Sequence, residues 1–203
     1  MSNLVSNAGV VATDVTGVGT ARGYLAACEY GGDKGIFGYG QSTSRWSMTN
    51  LVSNAGVVAT DVTGVGTVRS ELAACEYGGD KGIFGYGSAD GSVSSLSMTN
   101  LVSNVGVVAT DTTGVGTARN GLAACEYGND TAIFGYGSDG SVSSLTNLVS
   151  NAGVVATDVT GVGTAREDLV ACGYGDDKAI FGYGNTGSVS SLTNLVSNSG
   201  VVA

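Results

Sequence analysis

Lys34-Gly35-Ile36-Phe37-Gly38-Tyr39-Gly40 returns as Lys81 to Gly87, as Thr131 to Gly137 and as Lys178 to Gly184. A short apolar and aromatic run of this kind reads as a strand, and glycine inside it marks a bulge or a close backbone approach. Each copy follows a run ending in Cys-x-Tyr, with the cysteine at Cys28, Cys75, Cys125 and Cys172. Each is followed by a polar loop and then by Asn-Leu-Val-Ser-Asn, which begins at Asn3, Asn50, Asn100, Asn147 and Asn194. The period is 47 residues, and the second unit is 50 because its loop is three longer. Self-similarity at this spacing is the signature of a repeat architecture. The units run 3–49, 50–99, 100–146 and 147–193, with a partial copy at 194–203, in one domain over 1–203.

Four strands are expected per unit, in the first unit over 25–30, 35–39, 48–53 and 57–62. Gly31-Gly32-Asp33, Asn54-Ala55-Gly56 and Thr63-Gly64 supply the turns between and after them. No segment carries the i, i+3, i+4, i+7 apolar stripe of a helix. Glycine is abundant, at 35 residues, and falls at fixed places in the repeat, which means many tight turns rather than low complexity. The fold class is therefore all-β: a β-propeller of four-stranded antiparallel blades, about 47 residues per blade, with four blades. A β-solenoid is the alternative, although its rungs are commonly shorter. Residues 10–15 offer a fourth strand for the last blade, closing a four-bladed monomer. Asn-Leu-Val-Ser-Asn at both 3–7 and 194–198 then leaves one copy redundant. A second arrangement has the N-terminal strands of one chain completing the last blade of another.

Composition narrows function. The net charge is -9, and the eight Lys and Arg are scattered, which disfavours nucleic acid and anionic membranes as partners. There is no His, so histidine triads and imidazole metal sites are excluded. The cysteines are spaced 47, 50 and 47 apart, and three are followed by Glu29, Glu76 and Glu126, whose charge opposes a thiolate. They read as small buried hydrophobes of the repeat. Asp33, Asp80, Asp130 and Asp177 sit in glycine turns, too thinly grouped for a calcium site, so neither metal nor cofactor is expected. No signal peptide or membrane-length apolar run is present in the sequence, which suits the cytoplasm or a virion.

Two residue sets stand out. Asp14, Asp61, Asp111 and Asp158 each precede an arginine (Arg22, Arg69, Arg119, Arg166) by eight residues. Such pairs suit a charge-assisted bond that fixes one blade against the next, or a ring of polar groups at one propeller mouth. The second set lies where the units differ: Gly23-Tyr24, Ser70-Glu71, Asn120-Gly121 and Glu167-Asp168, with Arg45 and Trp46 occurring once in a loop. Loops on a rigid scaffold concentrate binding residues. The binding candidates are therefore Tyr24, Arg45, Trp46, Glu71, Asn120 and Asp168.

Thr20-Ala21-Arg22, Leu25-Ala26-Ala27-Cys28 and Gly32-Asp33-Lys34-Gly35-Ile36-Phe37-Gly38-Tyr39-Gly40 together resemble a kelch repeat, in all four units. A tyrosine separates the glycine doublet, and the later Trp of the kelch pattern has no counterpart. The units also resemble kelch-like repeats of bacteriophage tail and fibre proteins. That resemblance implies a propeller and a non-catalytic structural or interaction role, with protein partners or self-association through the duplicated terminal strands. A glycan-binding propeller with one shallow site per blade is the alternative.

Overall fold

The computed structural model describes residues 2–90 and 94–203. The described residues contain twelve strands and no helix. The structural units are offset from the repeats, each running from its first strand through the next Asn-Leu-Val-Ser-Asn: in the first, β1 (Ala26–Tyr30) pairs antiparallel with β2 (Lys34–Gly38), and β2 with β3 (Thr49–Val52). The pattern repeats as β4 (Ala73–Tyr77), β5 (Lys81–Gly85) and β6 (Thr99–Val102), then β7 (Ala123–Tyr127), β8 (Thr131–Gly135) and β9 (Thr146–Val149). The fourth unit carries β10 (Val170–Tyr174), β11 (Lys178–Gly182) and β12 (Thr193–Val196). The result is four three-stranded antiparallel sheets with identical internal order. This fourfold repeat fits a propeller-like arrangement.

The expected fourth strand is not a strand. Residues 57–62 meet β3 at two isolated bridges, Val52↔Val58 and Thr49↔Val62, and not in a continuous ladder. Three steps on β3 face four steps on its partner, so one extra residue interrupts the ladder as a bulge does. The Asn50 side chain reaches into that interruption, donating from Nδ2 to the Ala59 carbonyl at 3.1 Å. The same pair of bridges recurs in the second and third units, as Val102↔Val108 with Thr99↔Thr112 and as Val149↔Val155 with Thr146↔Val159.

The sheets stack face to face in chain order, first on second, second on third, third on fourth, with β1, β4, β7 and β10 adjacent along the stack. One contact defines each junction. Phe84 lies over Gly38 of the preceding unit, where a Cβ would meet the ring at 2.6 Å. Phe134 covers Gly85 and Phe181 covers Gly135 in the same way. Each phenylalanine also packs 5.2 Å, centroid to centroid, from a tyrosine of the preceding unit: Tyr39, Tyr86 and Tyr136. These tyrosines and Phe84, Phe134 and Phe181 are wholly buried. Edge-to-face pairs add about 1 kcal/mol each beyond their burial.

The sheets do not close into a ring. In place of the expected four-bladed closure the stack is open, with a face bare at each end. Val170 and Tyr183 of the fourth unit are 64% and 61% exposed, and Cys172 is exposed where Cys75 and Cys125 are buried. Residues 2–15 do not complete the fourth sheet. They lie on the outer edge of the first unit, where Leu4 packs on Gly56 as Leu51 packs on Gly106. Within that segment Ser2↔Val15 and Val5↔Val11 bridge. The cysteines are free, and burial pushes the Cys28 and Cys125 thiols up to about 12 and holds Cys75 well above the usual thiol range. No helix among the described residues is long and apolar enough to cross a membrane.

Candidate functional site

The recurring Asp and Arg belong to a polar network inside each unit. Arg22 does not pair with Asp14, eight residues back, but faces Asp61, with Nη1 and Oδ1 3.6 Å apart. Arg69 faces Asp111 at 3.7 Å. Between each pair stands the asparagine that opens Asn-Leu-Val-Ser-Asn. Arg22 donates to Asn50 Oδ1 at 2.6 Å, and Asn50 Nδ2 donates to Asp61 at 2.9 Å. Arg69–Asn100–Asp111 and Arg119–Asn147–Asp158 repeat the relay. Thr20, Thr67 and Thr117 add a backbone and a hydroxyl donor to the same carboxylates. Burial opposes charge on Asp111 and Asp158, yet these hydrogen bonds outweigh it and hold both below the usual carboxylate range. The asparagines and threonines escaped the sequence reading, although both recur in every unit.

The arginines also join units. The Arg69 guanidinium lies over Tyr39 and that of Arg166 over Tyr136, at 4.1 and 4.2 Å, with Arg119 over Tyr86 at 5.2 Å. Arg69, Arg119 and Arg166 are fully buried, so this set is framework and offers no group to a ligand.

The positions that vary between units lie together along one side of the stack, one from each unit. Glu71 N–H donates to the Tyr24 carbonyl at 3.0 Å, Gly121 N–H to Glu71 at 3.0 Å, and Asp168 N–H to Gly121 at 2.8 Å. This relay lines the four residues up across the four units, over a floor of Leu25, Leu72, Leu122 and Leu169. Together they form a groove of about 280 Å³. The leucines were not singled out from sequence, although one follows each variable pair. Tyr24 projects into solvent. Burial, then the charges of Asp168 and Glu167, push the Glu71 carboxyl up, and Arg45 partly offsets them.

The backbone here is left-handed, as it also is at Tyr39, Tyr86, Tyr136 and Tyr183, where φ is 62–65°. Tyr24, Glu71 and Asp168 have φ of 53°, 57° and 52°, a left-handed conformation that the third unit meets with Gly121 at 58°. A non-glycine residue in that region costs on the order of 1–2 kcal/mol. Three units carry a side chain at that cost.

The remaining candidates separate from the groove. Arg45 donates to Ser70 Oγ at 3.1 Å and stands near Glu71. Trp46 is half-buried, donates to Ser42 Oγ at 3.1 Å, and does not line the groove. Asn120 is buried, and its amide nitrogen has no partner among the described residues. The variable loop of the second unit lies partly outside the described residues. Glu29, Glu76 and Glu126 form a row along the first strands. Burial, then Glu126 and Glu29, raise the Glu76 carboxyl. Among the described residues no group of three acids or thiols is disposed to hold a metal. Compared with known protein families and with curated proteins, the chain matches none.

Proposed function

We propose that the protein is a non-catalytic interaction module, a propeller-type scaffold that presents one variable groove to a protein partner. The observation that supports it is the conjunction at Tyr24, Glu71 and Asp168. These are among the positions at which the units differ, and they line one groove and hold side chains where glycine is easier. Variable positions on a rigid scaffold are where binding residues concentrate. Glu71, Glu167 and Asp168 make the groove acidic beside the aromatic Tyr24, which suits a segment presenting a basic side chain. The resemblance to phage tail and fibre repeats supports a structural setting such as a virion.

A photoreactive phenylalanine analogue at position 24 tests this. It should crosslink a protein from the source lysate or particle, and Glu71→Ala with Asp168→Ala should abolish that crosslink while leaving the circular dichroism unchanged. Crosslinking that survives the double substitution, or none at all, overturns the reading. Tyr24 beside carboxylates also suits a sugar ring, with the aromatic face stacking and the acids accepting hydroxyls. A glycan array that lights up with the native chain and goes dark with Tyr24→Ala would select that second reading.

A further inference from the structure

The two bare ends of the stack are complementary. Every internal junction uses a phenylalanine plug over a glycine slot and its neighbouring tyrosine. The fourth unit has the slot without the plug. A Cβ on Gly182 would meet only Thr193 Cγ2, at 3.6 Å, where the equivalent positions on Gly38, Gly85 and Gly135 are covered by a ring. Tyr183, next to it, is 61% exposed, whereas Tyr39, Tyr86 and Tyr136 are sealed. The first unit has the plug without the slot: Phe37 is only half-buried, whereas Phe84, Phe134 and Phe181 are wholly buried.

The backbone and polar contacts match in the same sense. Gly40, Gly87 and Gly137 donate their amides to the carbonyls of Arg69, Arg119 and Arg166 in the following unit, each at 2.9 Å. Gly31, Gly78 and Gly128 donate to Asp80, Asp130 and Asp177 at 2.7–2.8 Å. Among the described residues no such acceptor faces the equivalent amides of Gly184 and Gly175. Among the described residues, no arginine lies over the Tyr183 ring and no tyrosine ring lies beneath Arg22. Arg166 donates to Asn194 at 2.8 Å, and Asn3 donates to Asp14 at 2.8 Å.

We propose that the first unit of one copy docks on the fourth unit of another, head to tail, with Phe37 seated over Gly182 against Tyr183 and Arg22 above that ring. Three near-identical junctions within the chain set the geometry of the fourth. The place it generates beyond the last sheet is not occupied by the chain's own first unit, because the stack is open. The outer half of that place must be shared. Residues 2–15 of the incoming copy lie where β12 and residues 201–203 of the receiving copy lie, as the packing of Leu4 on Gly56 demonstrates. The incoming segment brings Asp14, which gives Arg166 the carboxylate that Asp61 gives Arg22. It therefore pairs with β11 and displaces β12. Such a heterologous contact closes into a ring if the rotation allows it and otherwise grows.

The test is the solution mass of the full chain against concentration, by light scattering. The native chain should rise above the mass of one chain. Gly182→Ala should stay at one chain with unchanged thermal stability, since its added methyl is accommodated in the free unit and obstructs only the plug. Phe37→Ala should also stay at one chain. Mixing these two variants leaves one sound head and one sound tail, and should give a two-chain complex and nothing larger. Asp14→Asn should weaken association about tenfold, the effect of one lost charge-assisted contact. A native chain of constant one-chain mass overturns the proposal, and so does association that Gly182→Ala leaves untouched.

Discussion

The guanidinium carbon of Arg69 lies 4.1 Å from the centre of the Tyr39 ring in the preceding unit. The same arginine bonds Asn100 and faces Asp111 within its own unit. One side chain therefore ties a unit's outer edge to its inner strand and caps the neighbour's aromatic residue. Tyr39 donates in turn from its hydroxyl to the Val65 carbonyl at 3.2 Å, and burial raises that phenol to about 12.

Substituting Arg69 by Ala should cost about 3 kcal/mol or more, because it leaves a desolvated polar network without its cation. Arg22→Ala should cost clearly less, since among the described residues no aromatic ring lies beneath Arg22. Urea midpoints for the two variants check this, and equal losses would remove the junction role given to the arginine.

Gly85→Ala should lose about 1–3 kcal/mol, because its methyl would strike the Phe134 ring at 2.6 Å. Gly182→Ala should change stability by less than about 0.5 kcal/mol, as ordinary surface substitutions do. Thermal unfolding of the pair at low concentration is the measurement. A similar loss in both would mean that the slot at Gly182 is filled.

Glu71→Gly should stabilise the chain by about 1 kcal/mol by removing a left-handed non-glycine residue, and should remove partner binding at the groove. Chemical denaturation and the crosslinking assay read the two effects separately. A loss of stability would show that the Glu71 side chain is a packing residue.

Acid should first stabilise the fold and then destabilise it. The Glu76 and Glu126 carboxyls, raised first by burial and then by neighbouring acids, titrate above the unfolded value of about 4.3. Their unfavourable charge is relieved as pH falls through the folded pKa towards that value. Asp61, Asp111 and Asp158 are depressed, because hydrogen bonds to the carboxylate outweigh a burial that alone would raise them. Their contribution is complete above about 3.9 and is lost as pH falls through the lower folded values. The melting temperature should therefore peak in mild acid. Glu76→Gln should raise it slightly at pH 7, by less than about 1 kcal/mol given solvent screening, and should converge with the native chain near pH 4. A monotonic fall from neutral pH would contradict this.

The repeat and the all-β class were legible because glycine, tyrosine and asparagine recur in fixed register, and a strand of five residues needs only local signals. The number of paired strands was not. Residues 57–62 have good strand composition, and the register mismatch that breaks their ladder arises from pairing with β3 and from the inserted Asn50 side chain. Closure was not legible either, since identical unit sequences say nothing about the rotation between units. The groove was half visible: Tyr24, Glu71 and Asp168 stood out as variable, whereas the hydrogen-bond relay that aligns them, and the separation of Trp46 from them, are tertiary facts.

An open stack with unlike ends is tested most directly by the reactivity of the four thiols towards a maleimide, read by mass spectrometry at a concentration where the chain is monomeric. Cys75 and Cys125 are buried, Cys28 is half-covered by the second unit, and Cys172 is exposed. The open stack predicts rapid modification at Cys172 and slow modification at the other three. Equal protection of all four would mean that the first and fourth units are in contact, and would contradict it.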